Sequence, residues 1–280
     1  MKVLIITLII ILNILGILTF IINKNYYFAF AKHIFYVFWT GTNQMNQNRL
    51  DGIESIKKIT GVNVKLINVQ NLNDYILPNY PLHPGYKYLS RVHKADYLRC
   101  YFMHHYGGGY ADIKRQTGSW KKFFDQINND KNIWMIGLGG FNPPSKAFGI
   151  AYPEEYNQKQ RDLLTKYHNK MVGVSFMICK PRTPFTTEWY NNMHKMLDKY
   201  LHKLKKHPAV YSREAKDHPP SKSCKDERDP EIKKLPCPTE PTKYPISWNR
   251  ILGQIFYPLQ IKYINHIKQG LPMPDWENYS

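Results

Sequence analysis

The stretch from His93 to Arg115, HKADYLRCYFMHHYGGGYADIKR, constrains the fold more than any other part of the chain. Val92, Ala95, Leu98, Phe102 and Tyr106 recur at intervals of three and four, which predicts a helix with one apolar stripe. Gly107 stands where a helix C-cap in left-handed geometry is expected, and Gly108 and Gly109 allow the backbone to approach another chain or a ligand closely. Tyr110 to Ile113 then suits a short strand, which puts Asp112 near a strand's carboxyl end. Ligands of open α/β sheets bind at that edge. Asp96 and Arg99, three apart, share the helix face beside the stripe.

The flanking sequence argues for a Rossmann-like α/β arrangement. His33 to Trp39 (HIFYVFW) is almost continuously apolar and aromatic, as in a parallel strand buried on both faces, and it ends at the turn Thr40-Gly41. Leu50, Ile53 and Ile56 mark a helix closed by Gly61, Val62 to Ile67 a second strand, and Leu72 to Leu77 a short helix. A Pro- and Tyr-rich loop, 78–88, leads into the key helix. Further strands are expected at Trp134 to Leu138 and Val172 to Cys179. Thr183-Pro184 is a helix start, and Phe185, Trp189, Met193, Met196, Tyr200 and Leu204 form that helix's buried face. Residues 207–245 turn polar and Pro-rich, which predicts a mobile insertion. From Ile246 the apolar pattern returns and should pack back on the sheet.

The chain has 280 residues, enough for one substantial domain. Val3 to Ile22 carries no charge and is long enough to cross a bilayer as a helix. This divides the chain into a membrane anchor at 1–23, a tether at 24–32 and a domain at 33–280. A cleavable signal peptide is the competing reading, but no small-x-small site follows the run. Lys2 on one side and Lys24 and Lys32 on the other leave the orientation undecided by charge. The formal charge of +18 suits anionic partners. Because the basic residues are spread along the chain without a nucleic-acid motif, no nucleic-acid partner is expected. Of the four cysteines, Cys100 and Cys179 read as buried thiols, while Cys224 and Cys237 flank a polar loop that a disulfide would close in an oxidising compartment.

Ala95, Asp96, Arg99, Gly107, Gly108, Tyr110 and Asp112 stand in the register of a pattern found in sugar transferases. The segment resembles glycosyltransferase family 32 and the related capsular polysaccharide synthesis proteins. There a small residue, Asp, two variable residues and Arg on a helix precede Gly-Gly-x-Tyr-x-Asp-x-Asp. The resemblance covers most of residues 33–200 and is specific only between His93 and Lys114. It implies a GT-A fold with one nucleotide-sugar-binding domain, and a hexosyltransferase moving a sugar from a nucleotide donor to a glycan, lipid or protein hydroxyl. It also implies retention of anomeric configuration, and a type II membrane protein with its domain in a Golgi-like lumen. The second acid of Asp-x-Asp is missing: residue 114 is lysine.

Such a transfer builds negative charge on a departing diphosphate, which positive charge must meet. In GT-A enzymes an Mn²⁺ or Mg²⁺ ion on Asp-x-Asp usually supplies it. Asp112 matches the first acid and is the candidate catalytic residue and metal ligand. Lys114 leaves three readings open: its ammonium replaces the metal, other residues complete a metal site, or catalysis has been lost. The last gives the alternative function, a degenerate nucleotide- or glycan-binding membrane protein. Asp96 and Arg99 resemble the family's pair that holds the donor sugar, with a surface ion pair as the plainer reading. Trp39, Thr40 and Gly41 resemble the aromatic-x-Gly turn around the nucleotide, and Gly108 and Tyr110 complete the expected donor site, although Tyr110 suits a place in the core beneath it. Trp248, Asn249, Tyr257, His266 and Trp276 are candidates for closing the site from the C-terminal side. His104 and His105 read as helix-cap or surface residues. A front-side retaining mechanism needs no dedicated nucleophile, so no catalytic Ser, Cys or Glu is assigned.

Overall fold

The computed structural model describes residues 30–139, 156–219, 222, 224, 227 and 229–276. The apolar run Val3 to Ile22 lies outside them, and among the described residues no helix is long and apolar enough to cross a membrane.

Six strands form one mixed sheet: β1 (Ile34–Trp39), β2 (Asn63–Asn68), β3 (Gly108–Ala111), β4 (Met135–Gly137), β5 (Phe176–Cys179) and β6 (Ile267–Gln269), in the order β2-β1-β3-β5-β4-β6. The β1 strand is parallel to both its neighbours, and β4 is parallel to β6. Only β5 runs the other way, pairing antiparallel with β3 and β4. The strand pattern expected around β1 is therefore met, and the sheet as a whole is mixed.

The apolar run of β1 is explained by the two layers it separates. Phe35 and Val37 point into one core with Ile53, Ile56, Trp120 and Phe124, and Tyr36 and Phe38 into another with Leu98, Phe102, Trp189 and Phe256. The same alternation holds in β5, where Phe176 and Ile178 face the first core and Met177 and Cys179 the second. Helices α1 (Gln47–Ile59) and α3 (Lys121–Asn129) cover the first face. The second is covered by α2 (Arg91–His105), α5 (Pro184–Lys206) and α6 (Gly253–Lys262), with α4 (Gln158–Tyr167) beside α6. Leu50 in α1 is exposed, so Gly52, Ile53 and Ile56 carry that helix's contact instead. Thr183 caps α5 by accepting from Thr186 N at 3.2 Å, with Pro184 in the first turn.

The single stripe expected on α2 is a correction. All its residues except Arg91, Val92, Lys94 and Ala95 are buried, so Val92 and Ala95 are among the least covered. The helix lies between the sheet and α5, and apolar or aromatic side chains on nearly every side find a partner. His104 and His105 are likewise buried rather than capping. His104 stacks on Tyr190 of α5, and His105 meets Tyr80, Tyr101 and Tyr190.

The described residues of 207–245, the stretch expected as a mobile insertion, pack on the start of α2 and bury Tyr211, Ala215 and Tyr244. Ser212 O accepts from Val92 N at 3.1 Å, and buried Asp229 pairs with Arg91 at 2.5 Å. The segment thus satisfies a first-turn amide of α2 that would otherwise lack a partner. Glu214 and Glu227 hold the segment's own amides, and Cys224 and Cys237 form a disulfide. Its polar composition serves these backbone contacts.

Gly107 and Gly108 turn the chain from α2 into β3 with φ of 63° and 85°. A Cβ on Gly107 would lie 2.4 Å from Pro181 Cδ and 2.9 Å from Cys179 O, so Gly107→Ala is expected to cost about 2 kcal/mol or more in chemical denaturation. Acid is expected to loosen the α2–α5 contact. Burial holds His104 and His194 down at about 4 and His105 at about 3, against an ordinary 6.5, with Arg182 adding to the effect on His104 and His105 and His83 to that on His194. The unfolded chain therefore takes up protons first on acidification: this stability is whole above pH 6.5 and falls as pH drops toward 4. Melting temperature against pH checks this. His105→Phe should flatten the slope at little cost, since neither ring nitrogen of His105 has a hydrogen-bond partner among the described residues.

Candidate active site

The parallel strands β1 and β3 both end on the same edge of the sheet, and the chain entering antiparallel β5 starts there. Asp112 follows β3 directly, its amide donating to Ser175 O at 2.9 Å. The α2 helix runs back along the sheet from the glycine turn, so its second turn, with Asp96 and Arg99, reaches the edge where Asp112 emerges. Three of the residues singled out in the sequence therefore meet.

Arg99 is the centre of the cluster. Its Nη1 donates to Val174 O at 2.8 Å and its Nη2 to Tyr110 Oη at 2.8 Å. The same Nη2 lies 3.3 Å from Asp96 Oδ1 and 3.5 Å from Asp112 Oδ1. Tyr110 Oη in turn donates to Asp112 Oδ1 at 2.6 Å. The Tyr110 ring lies under the guanidinium at 4.2 Å and stacks on Phe38, which gives it the supporting place in the core expected for it. Lys114 Nζ lies 3.8 Å from Asp112 Oδ2 and 3.5 Å from the centre of the Trp276 ring. Two carboxylates, a guanidinium and an ammonium are thus gathered on one edge.

Burial dominates the electrostatics. It raises the Asp96 carboxyl to about 7, with Arg99 pulling it down and Asp112 pushing it up. Burial also works against the charge of Arg99, but Tyr110, Asp96 and Asp112 outweigh it and hold the guanidinium above its ordinary value. Lys114 is lowered to about 8, first by burial and then by Arg49 and Arg99, against the attraction of Asp112. The surface ion-pair reading of Asp96 and Arg99 does not hold, since each side chain is only 6% exposed.

The turn after β1 reaches the same edge. Trp39 Nε1 donates to Asn43 O at 2.7 Å, and Thr40 Oγ1 to Arg91 O at 2.7 Å. Arg91 Nη1 donates to Asn43 Oδ1 at 3.0 Å. A Cβ on Gly41 would meet that Asn43 side-chain oxygen, which would have to shift to make room. Gly108 is elsewhere. It starts β3, at the far end of the strand from Asp112, where its missing Cβ lets the backbone come against Ile34 O. Its part is packing of β3 on β1 rather than contact with a donor.

Of the C-terminal candidates, Tyr257 and Trp276 reach the cluster. Tyr257 is buried, which raises its hydroxyl, and Arg99 is near enough to oppose that shift. Trp248 and Asn249 sit one step away: Trp248 O contacts His93 Nε2 at 3.2 Å, and Asn249 O accepts from Gln254 N at the start of α6. His266 stacks on Trp134 ahead of β4, level with the beginning of β3 and so at the opposite edge. Arg49, which donates to Ile113 O at 2.8 Å, and the Val174 carbonyl were missed in the sequence. No local spacing relates them to Asp112; only the fold brings them there.

A divalent cation fits these residues poorly. Asp112 Oδ1 already accepts from Tyr110, both its oxygens face cationic groups, and among the described residues no three His, Cys, Asp or Glu side chains gather to hold a metal.

No protein-family model matches this chain, and no curated protein matches it. Among solved structures it is similar to one described as "PaToxG Glycosyltransferase", with 13% identity and a TM-score of 0.36, over 66% of this chain and 71% of that one.

Removing Arg99 tests the cluster as a physical unit. Arg99→Met leaves Asp96 and Asp112 facing each other without their shared cation, and a loss of about 3–5 kcal/mol is expected in urea denaturation.

Proposed function

We propose that this chain is a glycosyltransferase that moves a hexose from a nucleotide-sugar donor to a hydroxyl of a glycan, lipid or protein. The observation that carries the reading is the Arg99 fork, which joins Asp96 on α2 to Asp112 beyond β3 with Lys114 on the other oxygen of Asp112. Carboxylates that accept sugar hydroxyls are set beside cations that meet phosphate, at the strand edge where α/β sheets take ligands. The sequence pattern of sugar transferases falls on the same residues, which supports the reading independently of the geometry.

In the transfer, the bond from the anomeric carbon to the diphosphate breaks as the acceptor hydroxyl bonds to that carbon. The hydroxyl's proton passes to the departing phosphate oxygen on the same face, which gives retention. Asp96 and Asp112 are assigned to orienting the sugar, with Arg99 holding both in place, and the Trp39–Gly41 turn to the nucleotide. Preorganisation of charge in a largely buried site is the main catalytic contribution. The apolar stretch Val3–Ile22 supports attachment to a membrane, and the resemblance to sugar transferases favours a domain in a Golgi-like lumen.

The test is slow donor hydrolysis by the full-length chain in detergent, across a panel of nucleotide sugars. One donor is expected to turn over, and Asp112→Asn to lower that rate about 100-fold. Binding without turnover, with and without simple acceptors, would favour the degenerate nucleotide-binding reading. Neither binding nor turnover of any donor would remove the assignment.

A further inference from the structure

A divalent ion at Asp112 would need several hard oxygen ligands and tolerance from its neighbours. The structure offers the reverse. The Oδ1 atom of Asp112 accepts from Tyr110 at 2.6 Å and faces Arg99 at 3.5 Å, while Oδ2 faces Lys114 at 3.8 Å. The nearby carboxylate of Asp96 is 3.3 Å from the same guanidinium. Both acids are therefore drawn to positive groups that an added cation would have to oppose. Two residues beyond Asp112, where a second carboxylate would complete a metal site, an ammonium stands instead.

The same groups suit an anion. Arg49 reaches across from α1 and donates to the carbonyl of Ile113, the residue before Lys114, at 2.8 Å. Arg49 is thereby brought near enough to Lys114 for the two positive charges to act on each other. Lys114 itself is covered by the indole of Trp276 at 3.5 Å. That indole belongs to a C-terminal strap held by Asp275 N donating to Arg115 O at 2.9 Å and Thr117 Oγ1 donating to Met273 O at 2.5 Å. Trp276 is 42% exposed while the Lys114 side chain beneath it is only 4% exposed, so the indole lies between the ammonium and solvent, and an incoming anion would have to displace it.

We propose that the site takes the diphosphate of its nucleotide without a metal ion, on the ammonium of Lys114 with the guanidinium of Arg49 beside it. The inference rests on the nucleotide-sugar reading above and specifies how the diphosphate is held. Lysine as a compact point charge is suited to this place, where no bidentate geometry is required.

Titration calorimetry of the full-length chain in detergent with UDP, GDP and inorganic pyrophosphate, in EDTA and in Mn²⁺, tests it. The preferred diphosphate should bind with the same affinity, within about twofold, in both conditions. Lys114→Gln should weaken it by about tenfold or more, Lys114→Arg should largely restore it, and Lys114→Asp should make binding depend on Mn²⁺. Ligand binding should also change tryptophan fluorescence in the wild type and not in Trp276→Phe. Melting temperatures of the Lys114 variants separate lost binding from lost folding, and the wild-type comparison needs no variant. Binding that EDTA abolishes and Mn²⁺ restores overturns this inference alone, as does undiminished binding by a folded Lys114→Gln. Binding of no diphosphate in either condition overturns it together with the nucleotide-sugar reading.

Discussion

The guanidinium of Arg99 sits among groups that would repel one another without it. Asp96 and Asp112 both turn toward Nη2, Tyr110 shares its hydroxyl between that nitrogen and Asp112, and Val174 O takes the other branch of the fork. One side chain thereby fixes the relative positions of α2, the end of β3 and the approach to β5. A buried cation of this kind is costly in isolation and is held here by the acceptors around Nη1 and Nη2, while Nε has no hydrogen-bond partner among the described residues. That cost explains why the acids, the tyrosine and the carbonyl are held so closely on the sheet edge.

The arrangement depends in turn on how tightly α2 is gripped. The glycine turn brings the helix back over β3 without a Cβ in the way, with Gly107 against Pro181 and Gly108 against the backbone of β1. At its other end the helix is held by the 207–245 segment, through Ser212 O on Val92 N and Asp229 on Arg91. The same arginine reaches the turn after β1 through Asn43. The start of α2 thus ties the segment expected to wrap a nucleotide to the helix that presents Asp96 and Arg99. The placement of this charged edge depends on contacts along the whole length of the helix.

Much of this was legible in residue order. The aromatic run of β1, the stop at Gly107 and the Thr183-Pro184 helix start follow from local rules of periodicity, capping and backbone freedom, whereas the grouping of Asp96, Arg99 and Asp112 was implied by the resemblance to sugar transferases. The misreadings share a cause. His104 and His105 at a helix end look like caps until α5 is laid over them, and Val92 and Ala95 look like core until α2 is seen to be covered on its other sides. Residues 207–245 have the composition of a solvated loop because their acids bind backbone amides, a use that composition does not distinguish from exposure. Gly108 was placed by motif at the donor, yet a residue at the first position of a strand cannot share the edge at its last.

What the sequence determined by itself was therefore local: which segments are helix or strand, where the chain must turn through glycine, and which charged residues stand on one helix face or just past a strand. These are set by short-range sterics and by burial periodicity, and they need no partner. The tertiary structure alone decided which charges meet. Arg49, Val174, Tyr257 and Trp276 come to the Asp112 loop from distant parts of the chain, and His266 is carried to the opposite edge by the strand order. Charge pairing falls off over a few ångströms while the chain between these residues spans most of the domain, so only the packed sheet could bring them within reach.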